Sequence, residues 1–338
     1  RRTSSAIPES DGEYGAPSAS ETHATASTTG VDDNNPSASD IVGEIKSSGE
    51  KTGLQAFRSK KYGRGFLCAP DLDTDQTVVD ELEAIGEEFY RVYLTSSDDG
   101  ATISTAQTQR QDHDKFNTGF YFPRALVRDD NTQGIKSIPV VAHVAAYWQQ
   151  ADPGKVPAGD DVEIDFTLGL ETQNNGQPWI DGPSGVAETL VGKGINPVYD
   201  RDGTGPKVWG GRTATSDDAW QYLHAPYLYN YIASRVEAET DSLAYANASD
   251  PDKNFFQELH DGVWQFMYGL WDDGAFAGAL PPKDKPAEPD KHAFSVQTGE
   301  ELLSDQDKNN GIVRVKIWFK EALTAETIDI EIAKRVHG

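Results

Sequence analysis

Four glycines, a lysine and two arginines lie close together between residues 198 and 213, in the stretch VYDRDGTGPKVWGGRT. Glycine-rich turns beside basic side chains are typical of loops that bind phosphate. The stretch matches neither G-x-x-x-x-G-K-S/T nor G-x-G-x-x-G, because Gly203 and Gly205 are followed by Gly210, two places too late for the second pattern. The residues that follow predict no helix whose N-terminus could receive an anion. We therefore interpret the stretch as a turn that leads into a short strand.

Residues that could bind a metal are scattered along the chain. The seven histidines show no H-E-x-x-H motif and no paired Cys/His spacing, so the sequence predicts no zinc site. The stretch DLDTDQ at 71–76 begins like a calcium loop, but Gln76 stands where that loop needs glycine and Leu82 where it needs glutamate. Capping of the helix that follows explains these carboxylates better, with weak binding of a surface cation as the alternative.

Nucleophilic catalysis finds little support in the residue pattern. The only approach to G-x-S-x-G is GPSG at 182–185, which lacks the spacing. Cys68 is the single cysteine, so no intrachain disulfide forms, which fits a reducing compartment. Its apolar surroundings predict a buried, inert thiol. The sequence therefore predicts no catalytic, cofactor-binding or metal-binding residue.

The 338 residues are enough for one large or two ordinary domains. With 30 Lys+Arg against 55 Asp+Glu, the net charge is −25, and such a surface repels nucleic-acid phosphates. Solubility, a high-salt habitat and acidic faces in a large assembly are three possible reasons for this charge. No apolar run reaches the length of a membrane span, so we expect no membrane insertion. Because the chain starts at Arg1 and its only methionine is Met267, we expect a cut or processed N-terminus.

Elements that would position these residues begin after a low-complexity segment, residues 1–50, which alone should stay flexible. Residues 64–70 predict a short buried strand, residues 77–88 a helix with Val78, Leu82 and Ile85 on one face, and residues 89–95 a strand. This strand–helix–strand order is typical of a parallel sheet. Further along we expect a strand at 119–127 and a helix at 137–150 with Pro139 in its first turn.

The second half follows a loop-rich joint at 154–192. We expect a strand at 219–224, a helix that starts at Pro226 and a long core helix from Phe255 to Leu270. Two alternating stretches close the chain. One carries Val313, Val315 and Ile317 and the other Ile328, Ile330 and Ile332, so each has one apolar face. Such strands can pair within the subunit or with a neighbouring molecule, and both options stay open.

The order of these stretches resembles one known family. GINPVYDRDGTGPKVWGGRT at 194–213, DDAWQYLHAPYLYNYIASRV at 217–236, the long aromatic helix and the terminal strands are similar to the C-terminal half of contractile tail sheath proteins. The first half, with GFYFPRALV at 119–127, agrees with that family, and the resemblance runs from Gly53 to Ala333. One departure is APYL at 225–228, where the family usually has basic residues.

The resemblance implies an α/β fold: a parallel-sheet, subtilisin-like but non-catalytic domain at 51–192, then an α+β C-terminal sheath domain at 193–338 with exchanged terminal strands. The six apolar strand residues named above would then mediate strand exchange. The residues Gly205, Trp209, Gly210, Arg212 and Thr213 would form the structural core of the family motif.

It also implies a non-enzymatic subunit of a virion tail, assembled in the host cytoplasm, which polymerises helically around an inner tube and contracts to drive that tube through an envelope. Its partners would be other copies of itself, the inner tail tube protein, and baseplate and tail terminator proteins, with no direct nucleic-acid contact and no cofactor. A subtilisin-like-fold hydrolase and another virion structural protein are the alternatives.

Overall fold

The structure is a computed structural model, and it describes residues 36–73, 75–129, 132–151, 154–156, 158–159, 162–164, 168–171, 186–200, 205–241, 254–283 and 285–322. The helices of these residues are α1 Ala38–Val42, α2 Gln76–Glu88, α3 Ile103–Gln111, α4 Val141–Trp148, α5 Val186–Val191, α6 His224–Asp241, α7 Phe255–Asp272 and α8 Asp305–Asn309. The strands are β1 Gly65–Leu67, β2 Arg91–Ser96, β3 Thr118–Phe122, β4 Ala125–Arg128, β5 Ile135–Ile138, β6 Gly169–Leu170, β7 Ile195–Tyr199, β8 Lys207–Val208, β9 Phe294–Thr298 and β10 Val315–Phe319.

A five-stranded sheet in the order β1-β2-β3-β7-β8 organises the first core. The first four strands are parallel neighbours, and β8 pairs antiparallel with β7. Helix α2 connects β1 to β2 and buries Val78, Leu82 and Ile85, as its 3.6-residue period predicts. The predicted α/β fold with a mainly parallel sheet is confirmed.

The single strand predicted at 119–127 is wrong, because the structure has two strands there. Strand β3 ends at Phe122 in the parallel sheet, and β4 begins at Ala125 in a separate three-stranded sheet of order β5-β4-β6. Pro123 lies between them and has no N–H to donate to a ladder, so the chain leaves the first sheet at this residue.

The helix predicted from residue 137 begins later, at Val141. Residues 135–138 instead form β5, which pairs antiparallel with β4 from Ala125↔Ile138 to Arg128↔Ile135. The residue before a proline is biased toward extended backbone, and Ile138 precedes Pro139. Sheet pairing therefore overrides the helical pattern in these four residues.

A second core forms around α6, α7 and the β9–β10 pair. Helix α7 buries Leu259, Val263, Met267 and Leu270, which confirms the long core helix. Leu228 and Ile232 of α6 lie in the same apolar cluster. The strand predicted at 219–224 is wrong, since Asp218–Trp220 is a 3-10 turn and α6 starts at His224.

The predicted division of the chain at residue 192 stays a prediction. Strand β7 begins at Ile195, beyond that point, yet it pairs with β3 of the first half. Helix α1 lies within the segment predicted as peripheral, and its Ile41 and Val42 pack against the α2 core. The packing around the parallel sheet therefore includes elements from both sides of residue 192 and from the segment before residue 51.

Several predicted features lie outside the described residues. They include residues 1–35, the GPSG stretch at 182–185, Gly203 and the strand with Ile328, Ile330 and Ile332. Among the residues that the structure describes, no helix is long and apolar enough to cross a membrane.

Candidate functional site

The acidic stretch at 71–76 distributes its carboxylates among separate partners. Asp75 caps α2 by accepting the Thr77 N–H at 2.8 Å, which confirms the predicted cap. Asp71 pairs with Arg124 at 2.5 Å. Asp73 accepts hydrogen bonds from Tyr93 Oη and Thr95 Oγ1 at 2.7 and 2.9 Å. In the described part of the chain, no group of three His, Cys, Asp or Glu side chains could hold a metal ion.

A buried histidine next to a carboxylate is the arrangement closest to catalytic chemistry. His113 Nδ1 lies 3.1 Å from Glu83 Oε1, and Thr118 Oγ1 donates to the same oxygen at 3.0 Å. In a serine-type relay the imidazole stands between hydroxyl and carboxylate. Here the hydroxyl bonds the carboxylate itself, and Glu83, His113 and Thr118 are all buried. This cluster joins α2 to β3 and lacks the order of a relay.

Two further groups have shifted pKa values because they are buried. Burial raises the pKa of the Cys68 thiol, and the nearby Asp73 carboxylate raises it further. The thiol is therefore a weak nucleophile at neutral pH, in line with the inert cysteine expected from the sequence. Burial also raises the pKa of Asp73, although the hydrogen bonds from Tyr93 and Thr95 oppose the shift.

The glycine-rich stretch is held against the parallel sheet by Asn196 of β7. This side chain is fully buried, and its Nδ2 donates to the carbonyls of Phe120 and Arg212 at 3.1 and 2.8 Å. Its Oδ1 accepts the Arg212 N–H at 2.6 Å. One amide therefore ties β3, β7 and the 205–213 segment together.

The described glycines of the stretch make room for these contacts. A Cβ on Gly210 would lie 2.9 Å from Asn196 Oδ1, closer than real Cβ atoms come. Gly205 has φ +126°, a conformation that favours glycine, and its N–H donates to Asp200 Oδ1 at 3.3 Å. The amide of Trp209 donates to the Pro197 carbonyl at 2.8 Å.

Arg212 and Thr213 fix the end of the stretch to the segment before α6. Thr213 is buried, its Oγ1 donates to the Trp220 carbonyl at 2.6 Å, and its N–H donates to the Gln221 carbonyl at 2.9 Å. The Arg212 guanidinium lies 4.4 Å from the centre of the Tyr222 ring. Arg212 and Thr213 therefore lie where the segment before α6 attaches to the parallel sheet.

Strands β9 and β10 form a two-stranded antiparallel ribbon on α7. Val315, Ile317 and Phe319 of β10 pack against the α7 core, and Lys316 is exposed. The ribbon starts later than the sequence predicts: Val313 is 37% exposed and lies before β10. The reason is local, because the Ile312 N–H bonds the Asp307 carbonyl and Arg314 pairs with the Asp307 carboxylate at 2.6 Å.

The outer edges of this ribbon carry unpaired main-chain groups. Lys320 N donates to Ala293 O, beside the opposed pair Phe319↔Phe294. Antiparallel pairs alternate between hydrogen-bonded and non-hydrogen-bonded, so the N–H groups of Val315, Ile317 and Phe319 point away from β9. In the described part of the chain β9 and β10 pair only with each other, and each has one open edge.

A groove of about 520 Å³ lies beside β9. Its walls are the first half of α7 with Trp264, the proline-containing residues 281–283 and 285–287, and residues 295–298 of β9. The buried Trp264 Nε1–H has no hydrogen-bond acceptor among the described residues. The groove and the ribbon edge together form an open, partly apolar surface next to unpaired backbone.

Comparison with known proteins identifies relatives of this chain. No protein-family model matches the chain. The tail sheath protein of Burkholderia phage BcepMu is 25% identical over 258 residues, covering 71% of this chain and 53% of that protein. A prophage major tail sheath protein of Pseudomonas aeruginosa is 23% identical, covering 70% of this chain and 61% of that protein. The chain is similar to contractile tail sheath proteins. It spans between half and two thirds of the length of these two relatives.

Solved sheath structures share the fold. The contracted PVC sheath, from an extracellular contractile injection system, has a TM-score of 0.59 at 22% identity, covering 80% of this chain and 71% of that chain. The contracted helical sheath of the anti-feeding prophage has a TM-score of 0.58 at 19% identity, covering 80% of this chain and 70% of that chain. These two likenesses concern the fold.

Sequence reasoning missed the side chain that ties the motif together. Asn196 lies two positions after Gly194, but nothing in the residue spacing indicates that it lies opposite Tyr121 in the sheet. A lone polar residue in the apolar run INPVY was the available signal, because buried amides are nearly always hydrogen-bonded.

Proposed function

We propose that this chain is a structural subunit of a contractile tail sheath, which polymerises helically around an inner tube and contracts to drive the tube through a target envelope. The observation that carries the proposal is the match to tail sheath proteins over about seven tenths of the chain. The shared fold of contracted sheath assemblies supports it.

A helical lattice needs a heterologous contact that does not close into a ring. The open edges of β9 and β10 suit such a contact, because a strand from a neighbouring copy can add to an unpaired edge. We assign this strand exchange to the segments around Val313, Val315 and Ile317 and to the strand with Ile328, Ile330 and Ile332. Val313 would contribute through its exposed position before β10.

Contraction then becomes a rearrangement of rigid bodies that stay linked. Exchanged strands keep neighbours attached while subunits rotate, and the contracted lattice is lower in free energy because its interfaces are better satisfied. No bound cofactor enters this account. The residues Gly205, Trp209, Gly210, Arg212 and Thr213 serve as the structural core that joins the halves of each rigid body.

The proposed partners follow from the sheath role. They are further copies of the chain, the inner tail tube protein, and baseplate and tail terminator proteins, in a virion tail assembled in the host cytoplasm. The net charge of −25 disfavours direct binding of nucleic acid.

We further propose that residues 51–192 form a subtilisin-like domain without its catalysis and residues 193–338 a C-terminal sheath domain. The parallel neighbours β1, β2, β3 and β7 support the first part, and the α7–ribbon core supports the second. The resemblance would concern the fold alone.

Sedimentation of the purified full chain tests the proposal. We expect a pelletable polymer above a critical concentration, because heterologous contacts grow without limit. A chain that stays monomeric at every protein and salt concentration, or a serine-directed probe whose labelling one serine substitution abolishes, would contradict it.

A further inference from the structure

A second pocket, of about 400 Å³, lies at the amino ends of β3 and β7. Three basic side chains from separate segments line it: Arg110 of α3, Lys193 in the turn after α5, and Arg212 of the glycine-rich stretch. A chain with 25 more acidic than basic residues brings these three cations together, and Asp218 is the one carboxylate among the described lining residues. Three basic side chains in one pocket favour a binding partner with negative charge.

Arg110 is built into the wall of this pocket. Its Nη2 donates to the Thr215 carbonyl at 3.2 Å, and its Nη1 lies 3.4 Å from the His113 carbonyl. The buried Nε–H has no acceptor among the described residues. Buried donors are nearly always paired, so a buried, charged donor without an acceptor indicates a missing partner.

Gly194 makes room for that guanidinium. Its φ is +72°, and a Cβ there would lie 2.9 Å from Arg110 Nη2 and 2.7 Å from the Thr213 carbonyl. Burial lowers the pKa of Arg110, and the nearby Asp114 carboxylate opposes this shift. The guanidinium is therefore held partly desolvated, which strengthens its attraction for an incoming anion.

The carboxylates nearby are already engaged. Asp114 accepts the N–H and the Oγ–H of Ser216 at 2.7 and 3.0 Å. Asp218 accepts the Gln221 amide at 2.7 Å. Lys193 is exposed and donates to the neutral Gln107 Oε1 at 2.8 Å. In the described part of the chain, neither Lys193 nor Arg110 forms an ion pair with a carboxylate.

We infer that this pocket receives an acidic side chain, Asp or Glu, from a second copy of the chain. The inference rests on the proposed function, which brings copies into repeated contact. Its volume exceeds that of one water, about 30 Å³, by more than tenfold, so the pocket holds a loop tip rather than a single small ion. The surface of each copy is rich in carboxylates, and charge complementarity selects the register of docking.

Zero-length carbodiimide crosslinking of polymers made from equal parts of 14N- and 15N-labelled chain tests the contact. This reagent joins a lysine amine to a carboxylate that touches it. We expect peptides of mixed isotopic composition that link Lys193 to an Asp or Glu. Lys61 is the internal control, because it is also exposed and has no carboxylate partner among the described residues. Lys193 links found only within one copy, or no more often than those of Lys61, would overturn the inference.

Charge reversal gives the matching functional measurement. We expect Lys193→Glu to raise the critical concentration for sedimentation about tenfold, because it places like charges in the contact. Lys61→Glu changes the net charge equally and should leave the critical concentration within about twofold. Equal effects of the two variants would contradict the inference, while wild-type polymers would still support the sheath role. A wild type that forms no polymer would overturn the sheath role and the inference together.

Titration with inorganic phosphate tests whether a free anion occupies the pocket instead of an acidic side chain. We expect no phosphate binding that depends on Lys193 at millimolar concentration, because the site is shaped for a side chain on a loop. Phosphate binding that Lys193→Gln abolishes, with unchanged polymerisation of that variant, would assign the pocket to a free anion and overturn the inference.

Discussion

At the scale of single residues, buried polar groups decide how the glycine-rich stretch is held. The Asn196 side chain hydrogen-bonds two carbonyls and one N–H of the segments packed around it. Thr213 does the same for the segment before α6. In its described residues the motif makes hydrogen bonds that position the backbone. Single substitutions here should therefore change stability first and assembly second.

Asn196→Ala should lower the free energy of unfolding by about 2 to 3 kcal/mol, because it removes the three hydrogen bonds of a fully buried amide. Urea denaturation of the unpolymerised chain measures this change. Asn309→Ala is the control, since Asn309 is exposed at the end of α8. A loss below about 0.5 kcal/mol for Asn196→Ala, as expected for a surface site, would contradict the assigned role.

Asp73 should give the unfolding free energy a specific pH dependence. Burial raises the pKa of Asp73 in the folded chain above its ordinary value of 3.8. The folded state then holds this proton more tightly than the unfolded state does. The stabilising contribution of protonated Asp73 to the free energy of unfolding is therefore full below the unfolded pKa, and it is lost as the pH rises through the folded pKa. Asp73→Asn removes the dependence.

The measurement is urea denaturation of wild type and Asp73→Asn between pH 4 and 7. We expect the stability of the variant relative to wild type to increase as the pH rises. Asp112→Asn, at an exposed carboxylate, is the control for general charge effects. Parallel curves for Asp73→Asn and wild type would contradict the pKa shift.

At the scale of elements, the sequence predicts what depends on local periodicity. Helices α2 and α7 follow from apolar spacing alone, because each buries one stripe against a sheet. The break at Pro123, the strand at 135–138 and the late start of β10 were missed, since cross-strand pairing and the Asp307–Arg314 ion pair set them. The Arg110 pocket was also missed, because it joins three segments distant in sequence.

The open edge of β10 makes a prediction about strand addition. Val315 is the first residue of β10, and its N–H points away from β9, so proline there keeps the bonds within the ribbon. We expect Val315→Pro to retain the circular dichroism spectrum of the wild type and to reduce the sedimenting fraction several-fold. Val315→Thr, which has a similar shape and keeps the main-chain N–H, is the matched control. Unimpaired polymerisation of Val315→Pro would argue against strand addition at β10.

At the scale of the whole molecule, the account depends on contacts between copies. In the proposed sheath, the two cores form one rigid body, and the ribbon edge and the basic pocket are its two separate surfaces for unlike contacts. Unlike surfaces on one body generate a helix unless rotation closes a ring. The net charge of −25 means that each such contact must be locally complementary to overcome repulsion.

Negative-stain electron microscopy of the concentrated full chain tests the central claim most directly. The account predicts hollow tubes with a regular helical repeat, whose number falls in Lys193→Glu but not in Lys61→Glu. Separate single particles of uniform size at every protein and salt concentration would contradict it.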